Sequence, residues 1–479
     1  MEALPIALFW LVGLWAFIGK KKYLLYLFFC SMPFGSFAVI PPEMTAGLTF
    51  TPTPIVALMV IARQFVPQGG LNHLLHLVLN PRLLLPLLLF WISSIFATLF
   101  MPRLFAGQVT VIPMRLDAAT FGDPLFPTSQ NISQLAYMTI SVAAVAAFAH
   151  LLRRPDLQRH AVYAIIAGGV VTVFTGAVDY VSQYVPISPL LEPFRTATYA
   201  LITEAKIQGA KRVVGLMPEA SSYGALSLSF LAAIYFFRRG LPAGGVADRL
   251  VPATIASLVV FTWLSTSSSA YLGFAVFCLA AVLEWLWRAA RGRSEKSLRR
   301  GLGLEFWTVS AAATFACLIV LFKPSILDPI VSMVDEMVFK KTASSSFEER
   351  SMWTAVSWKA FVDTYGLGVG LGGTRASNGV VSIFSNVGFV GGCLYFLFVA
   401  QTFLRRLKYP DPQRIALKAA AFWTFLPGFS TAVLAATTPD FGTFNGFLFG
   451  VAIALRLPPQ LFLTGKRLGK PRTSAQQAH

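Results

Sequence analysis

Two long polar segments, 182–218 and 323–378, separate apolar runs of the chain, and nine of their ten basic residues are candidates for binding an anion. Arginine carries a planar fork of donors that matches the oxygens of a phosphate group. Three arginines, Arg212, Arg350 and Arg375, each sit beside an apolar run. One arginine alone would more simply pair with a glutamate or a lipid headgroup, but the set favours a shared anionic ligand. The nine residues are Arg195, Lys206, Lys211, Arg212, Lys340, Lys341, Arg350, Lys359 and Arg375.

Carboxylates near the same segments are the candidates for acid–base chemistry. Glu219 lies in "RVVGLMPEASSYG", where a loop enters a helix. Its position predicts either a helix-end stabiliser or a general base that accepts a proton. The other candidates are Glu348, Glu349 and Asp363. The five histidines are all predicted to face the other side of the membrane, so none is expected to take part. They are His73, His76, His150, His160 and His479.

The composition indicates an integral membrane protein. The 479 residues are 56% hydrophobic and only 13% charged, and the mean hydropathy is +0.65. The net charge of +18 would suggest nucleic acid in a soluble protein, but basic residues that hold the membrane topology explain it more simply. The four cysteines fall in apolar runs without metal or disulfide spacing, and neither kind of site is expected.

Apolar runs predict 12 or 13 transmembrane helices in a single transmembrane domain over 1–479, without an added soluble domain. The first and third runs are the weakest. The predicted spans are 3–18, 23–40, 52–64, 83–101, 131–151, 161–181, 219–237, 251–266, 268–287, 305–322, 379–404, 415–436 and 441–456.

Basic loops set the predicted orientation. Segments such as "HLLRRPDLQRH" and "WRAARGRSEKSLRR" alternate with the spans so that about two thirds of the lysines and arginines share one side. That side is predicted to be the cytoplasm, together with the C-terminal tail. Segments 182–218 and 323–378 are then extracytoplasmic loops, and the second is expected to contain short helices.

Segment 323–378 reads as ordered. "SMWTAVSWKAFVDTY" places Trp353, Val356, Ala360 and Phe361 on one helical face, and Ser345 and Glu348 have capping-box spacing before it. The following "GLGVGLGG" fits neither phosphate-loop pattern and follows no strand. Its glycines are expected to let the backbone approach a ligand or a neighbouring helix closely.

The stretch "FEERSMWTAVSWKAFVDTYGLGVGLGGTRASNGVVSIFSNVGFVGG" resembles the outer-loop region of the O-antigen polymerase and ligase superfamily. "RVVGLMPEASSYGALSL" is similar to the arginine-to-acid signature of its polymerases, and "WLSTSSSAYLGFAV" to a Ser/Thr-rich helix start. These motifs cover about a fifth of the chain by our count, and the layout of 12 or 13 spans also fits.

The resemblance implies an all-α, GT-C-like membrane bundle and a metal-independent glycosyltransferase without a cofactor. Its substrate would be an oligosaccharide on undecaprenyl diphosphate, in the bacterial inner membrane with a periplasmic active site. Arg212 and Arg350 would bind the diphosphate, and Glu219 matches the acid of the polymerase signature. Expected partners are membrane lipids, a chain-length regulator and a flippase, without nucleic acid. The predicted substrate-binding residues are Arg375, Asn378, Arg195, Lys211, Trp353 and Asn386.

Three positions depart from the family pattern. Ligases carry a histidine where this chain has Ser377, which removes the base proposed for ligases and favours a polymerase. Asn386 replaces a common glutamate, and Ser269 replaces a frequent arginine. The alternatives are a ligase that transfers glycan to lipid A core, and a transporter or flippase. A transporter would be expected to have charges at mid-membrane and repeated halves, and neither is visible.

Overall fold

A computed structural model describes residues 3–45, 49–66, 70–114, 122–207, 210–241, 246–291, 301–323 and 345–459, with a few positions between 325 and 335. Lys340, Lys341 and the end of the C-terminal tail, which figure in the sequence predictions, lie outside the described residues.

Fifteen α-helices make up most of the described chain. They are α1 Ala3–Ile18, α2 Lys21–Ser31, α3 Pro52–Phe65, α4 Gly70–Val78, α5 Leu85–Leu104, α6 Ser129–Leu151, α7 Pro155–Val181, α8 Ala220–Phe237, α9 Val246–Leu264, α10 Ser268–Arg291, α11 Leu302–Phe322, α12 Ser345–Asp363, α13 Gly379–Leu404, α14 Pro412–Ala435 and α15 Gly442–Ala454. Two antiparallel strand pairs are very short: β1 Thr110–Val111 with β2 Asp123–Pro124, and β3 Lys206–Ile207 with β4 Ala210–Lys211.

The helices confirm the all-α, polytopic class. Within the described residues, eight helices are long and apolar enough to cross a membrane, or nine if the bent pair α3–α4 forms one span. Three more apolar helices, at the positions of α1, α9 and α15, are shorter. Each of the eight coincides with a predicted span, while the total of 12 or 13 and the GT-C-like arrangement stay predictions.

The span predicted over 23–40 is wrong in its second half. Helix α2 ends at Ser31, and turns follow it. Pro33 lacks a backbone N–H, so it removes an intrahelical hydrogen bond and favours a helix end at this point of the apolar run, although Met32 before it keeps helical angles (φ −60°, ψ −38°). Helix α4 lies between the predicted spans 52–64 and 83–101, where the sequence predicts a connecting loop and no helix.

Helices pack pairwise around a core rich in phenylalanine. The closest pairs are α6 with α15, α5 with α13, α2 with α7, and α8 with α14. Phe29 meets the ring of Phe447 edge-on at 4.9 Å, and Phe28 meets the ring of Phe148 at 5.0 Å. Because lipid tails are as apolar as these side chains, such close packing is what holds the helices together in the membrane.

The glycine-rich segment 366–373 packs against a break in α13. The break lies at Gly388, which has a φ of 76°. Across it, the Val369 N–H donates to the Ser385 carbonyl at 2.8 Å, and the Phe389 N–H donates to the Gly366 carbonyl at 2.8 Å. These bonds satisfy backbone groups that the break removes from the helix, which non-helical backbone in a membrane requires. The predicted close approach of the backbone to a neighbouring helix is confirmed.

Candidate functional site

A cavity of about 1130 Å³ lies between α9, α10, α12, α14 and the start of α13, and we call it the α10–α12 cavity. Pockets for small ligands are usually about 300–1,000 Å³, so this cavity has room for a larger ligand. Its polar lining residues are Thr262, Ser268, Ser269, Tyr271, Arg350, Ser351, Thr354, Ser377, Asn378 and Thr431. Its apolar lining includes Val259, Trp263, Leu272, Phe274, Ala275, Cys278, Phe347, Trp358, Val381 and Leu434.

The residues of α10 that line the cavity change from polar to apolar along the helix. Ser268 and Ser269 open the helix, and the lining continues through Leu272 and Ala275 to Cys278. Ten residues of helix span about 15 Å, half the thickness of a bilayer core. The cavity therefore has a polar mouth near the start of α10 and an apolar extension along this spanning helix.

Arg350 projects from α12 into the lining of the cavity. Within the described residues it forms no ion pair and its guanidinium donates no hydrogen bond. Its charge acts on Arg375, whose pKa it lowers. A half-buried guanidinium that lacks a carboxylate partner has its donors available for an anionic ligand.

Asn378 caps the N-terminus of α13 and also lines the cavity. Its side-chain oxygen accepts from the N–H groups of Val380 at 3.0 Å and Val381 at 3.1 Å. Its amide nitrogen donates to no other described residue, which leaves that donor for a ligand. The cap therefore fixes a side chain that lines the same cavity as Arg350 and Ser377.

Arg375 is held against Trp353. Its guanidinium carbon lies 3.6 Å from the centroid of the Trp353 ring, and its backbone N–H donates to the Ile112 carbonyl at 2.9 Å. Burial lowers the pKa of Arg375, while Glu349 and Glu219 act in the opposite direction. Neither Arg375 nor Trp353 lines the cavity.

Arg212 is bonded to the turn between α9 and α10. Its Nε donates to the Thr266 hydroxyl at 3.0 Å and its Nη2 donates to the Thr266 carbonyl at 2.9 Å. Thr266 has a φ of 44°, a left-handed conformation that costs a residue with a Cβ about 1–2 kcal/mol. Arg212 therefore stabilises the turn that leads into Ser268 and Ser269 of the polar mouth, and does not itself line the cavity.

Glu219 is the residue before the first turn of α8, and its side chain does not cap that helix. Its carboxylate accepts from the Ser221 hydroxyl. Burial lowers the pKa of Arg212, and the Glu219 charge opposes that shift, as it does for Arg375. Glu219 thus lies within electrostatic reach of two predicted site arginines, without an ion pair of 4.0 Å or less in the described chain.

Arg195 anchors the segment that leads to Glu219. Its Nη2 lies 3.2 Å from Oδ1 of Asp179, and both side chains are buried. The other carboxylate oxygen of Asp179 accepts from the N–H groups of Val214 at 2.7 Å and Gly215 at 3.0 Å. The geometry thus places Arg195 in a buried structural pair and away from the cavity.

We expect Asp179→Asn to destabilise the protein by about 3–5 kcal/mol, because it removes the only buried carboxylate that pairs with Arg195 among the described residues and leaves the exposed Glu192 as its partner. The measurement is thermal unfolding of the detergent-solubilised protein. The matched control is Glu192→Gln, which removes the exposed partner of the same arginine and should cost less than about 1 kcal/mol. Equal losses from both variants would contradict the structural role given to Asp179.

Two further predicted substrate-binding residues also have other contacts. The Lys211 Nζ pairs with Glu204 at 2.8 Å on the exposed β3–β4 hairpin. Asn386 is fully buried, and its Nδ2 donates to the carbonyls of Thr374 at 3.1 Å and Ser382 at 2.8 Å. Neither residue lines the cavity.

The structure therefore brings together only part of the predicted site. Arg350 and Asn378 line the cavity, whereas Arg212, Glu219 and Arg375 do not. Sequence analysis missed the hydroxyl-bearing residues of the mouth, chiefly Tyr271, Ser351 and Thr354. The available signal was helical spacing, because positions 347, 350, 351, 354, 355 and 358 form one stripe that includes Arg350.

Within the described residues, no group of three or more His, Cys, Asp or Glu side chains is placed to hold a metal ion. Metal independence stays a prediction. In comparisons with known proteins, no family model and no curated protein matches this chain.

Proposed function

We propose that this chain is a polysaccharide polymerase of the bacterial inner membrane. It would transfer a glycan from undecaprenyl diphosphate to the end sugar of a second lipid-linked repeat unit at the periplasmic face. The observation that carries the proposal is Arg350, a guanidinium in the lining of the α10–α12 cavity that has no carboxylate partner among the described residues.

The shape of the cavity fits the two chemical parts of a polyprenyl diphosphate. The diphosphate would lie at the mouth, where Arg350 and Asn378 can donate hydrogen bonds. The polyprenyl chain would follow the apolar lining of α10 from Leu272 to Cys278. A transporter does not need a charged group fixed at one end of an apolar groove, so this arrangement favours a lipid-linked substrate.

In the proposed reaction, a hydroxyl oxygen of the acceptor sugar attacks the anomeric carbon of the donor glycan. The bond from that carbon to the diphosphate oxygen breaks, and the diphosphate leaves with the electron pair. Arg350 stabilises the charge that develops on the leaving group. Glu219 accepts the proton of the attacking hydroxyl. Binding both glycolipids in one groove supplies the orientation that the step needs.

We expect Glu219→Gln to slow polymerisation about 100-fold or more, since a general base typically contributes about 10²–10⁴-fold. The measurement is the rate of polymer formation by purified protein with a lipid-linked repeat unit. Glu204→Gln is the matched control, because Glu204 is an exposed glutamate of the same loop and should leave the rate unchanged. A Glu219→Gln rate within twofold of wild type would assign Glu219 a structural role only.

The test of the function itself is gene deletion with analysis of the polysaccharide. A polymerase predicts single repeats on the cell surface, and polymer of normal length on complementation with the wild-type gene. Long polymer that stays on the lipid carrier would indicate a ligase. Repeats that remain on the cytoplasmic leaflet would indicate a flippase, and an unchanged polysaccharide would contradict all three.

A further inference from the structure

Five basic side chains meet at the ends of α2, α3, α4 and α6, on the face predicted to be cytoplasmic. They are Lys21, Arg63, His73, His150 and Arg153, and we call them the basic cluster. The Arg153 Nη1 contacts Nε2 of His73, and the rings of His73 and His150 lie 4.9 Å apart. Burial and the nearby charges of Arg154 and Arg63 lower the pKa of Lys21.

The described chain supplies no counter-charge for this cluster. None of Lys21, Arg63 and Arg153 forms an ion pair with a carboxylate among the described residues. The neighbouring Asp156 instead pairs with Arg154 at 2.8 Å. Lys21 reaches only the Gln64 side chain at 3.5 Å, and Arg153 donates to the Pro458 carbonyl at 3.3 Å. Half-buried cations packed together repel one another unless an anion lies between them.

Two buried donors or acceptors in the cluster also have no hydrogen-bond partner among the described residues. They are Nε of Arg63 and Nδ1 of His150. Buried polar atoms in native proteins are almost always bonded, so such orphans indicate a missing ligand or water. Basic residues that only set topology need to lie in the loop, and do not need to converge from four helices.

We propose that the basic cluster binds a phosphate-bearing anion, held by Lys21, Arg63 and Arg153. Helix α4 favours the headgroup of an anionic lipid as the source of that phosphate. It turns by 112° from α3, and its Leu71 and Leu75 are exposed, on the side of the helix away from His73. A helix that lies across the bundle end with exposed leucines can contact acyl chains while the cluster holds the headgroup.

The test is the binding of phosphatidylglycerol and of phosphatidylcholine to the purified full-length protein, measured by native mass spectrometry. We expect clear preference for phosphatidylglycerol and about a fivefold loss of its affinity in Arg153→Gln, since one basic residue contributes about that much. The double variant, Lys21→Gln with Arg153→Gln, should bind phosphatidylglycerol about 25-fold more weakly than the wild type. The matched control is Arg159→Gln, which removes an exposed charge from the same loop region and should change affinity less than twofold.

Inorganic phosphate is the second probe. Phosphate that binds in detergent alone, and that Arg153→Gln weakens, would support the site with a soluble anion as its ligand. His73→Gln gives an independent variant of the cluster if the double variant does not fold. The proposal would be overturned if Arg153→Gln and Arg159→Gln changed the affinity equally, or if neither phosphatidylglycerol nor inorganic phosphate bound better than phosphatidylcholine. The cluster would then be a topology signal.

Discussion

Arg350→Ala should lower the rate of polymer formation about 100-fold or more while the protein stays folded. Losing one preorganised donor to a developing negative charge typically costs about 10²–10³-fold in rate. Arg350 has no structural partner among the described residues, so its removal breaks no ion pair. Arg350→Lys keeps the charge but loses the planar fork, and should retain an intermediate rate. The measurement is turnover of a lipid-linked repeat unit by the purified variants.

The matched control is Lys359→Ala on the same helix. Lys359 is 73% exposed and pairs only with Asp363, one turn along α12. Its removal changes the net charge as Arg350→Ala does, but away from the cavity, and should leave the rate within about twofold of wild type. If Lys359→Ala and Arg350→Ala reduced turnover equally, a general charge effect would replace the specific role of Arg350.

Gly368→Ala should cause the largest loss of stability, more than about 3 kcal/mol, or prevent assembly. A Cβ at this position would lie 2.7 Å from the Gly388 nitrogen and 3.0 Å from the Asn386 carbonyl oxygen, both of them backbone atoms that cannot turn aside. The φ of 81° adds strain for a residue with a Cβ. In this variant, overpacking and backbone strain together would force the glycine-rich segment away from the break in α13. Thermal unfolding in detergent measures the effect.

Two other glycines separate the causes of that loss. Gly442 has a φ of 73° with open space around it, so Gly442→Ala tests strain alone and should cost about 1–2 kcal/mol. Gly428 lies inside α14 with open space around it, and Gly428→Ala should stabilise by up to about 1 kcal/mol. A Gly368→Ala variant no less stable than Gly442→Ala would show that the close backbone contact is not needed.

Sequence patterns predict the spanning helices well because the bilayer demands long apolar runs of fixed length. They also predict α12, whose buried Trp353 and Ala360 lie on the expected face. The second predicted span fails because hydropathy averages over Pro33, whose backbone ends α2 near that point.

The site was predicted less completely, because residue type does not reveal what a side chain bonds. Arg195, Arg212 and Arg350 look alike in sequence, but their partners differ. Arg195 pairs with Asp179 near the end of α7, and Arg212 bonds to a strained turn at Thr266. Only Arg350 of the three lines the cavity. The first two contacts join residues 16 and 54 positions apart, beyond the reach of helical spacing, so spacing alone could not distinguish the three arginines.

The most direct test of the central claim is photo-crosslinking of the lipid-linked repeat unit from two positions on α10. A photoreactive residue at Leu272 lies in the cavity lining, whereas one at Leu283 lies on an exposed face of the same helix. The account predicts that the lipid-linked glycan is captured from position 272 only. It also predicts that this capture is lost when the photoreactive residue at position 272 is combined with Arg350→Ala. Equal capture from both positions, or capture that does not depend on Arg350, would contradict it.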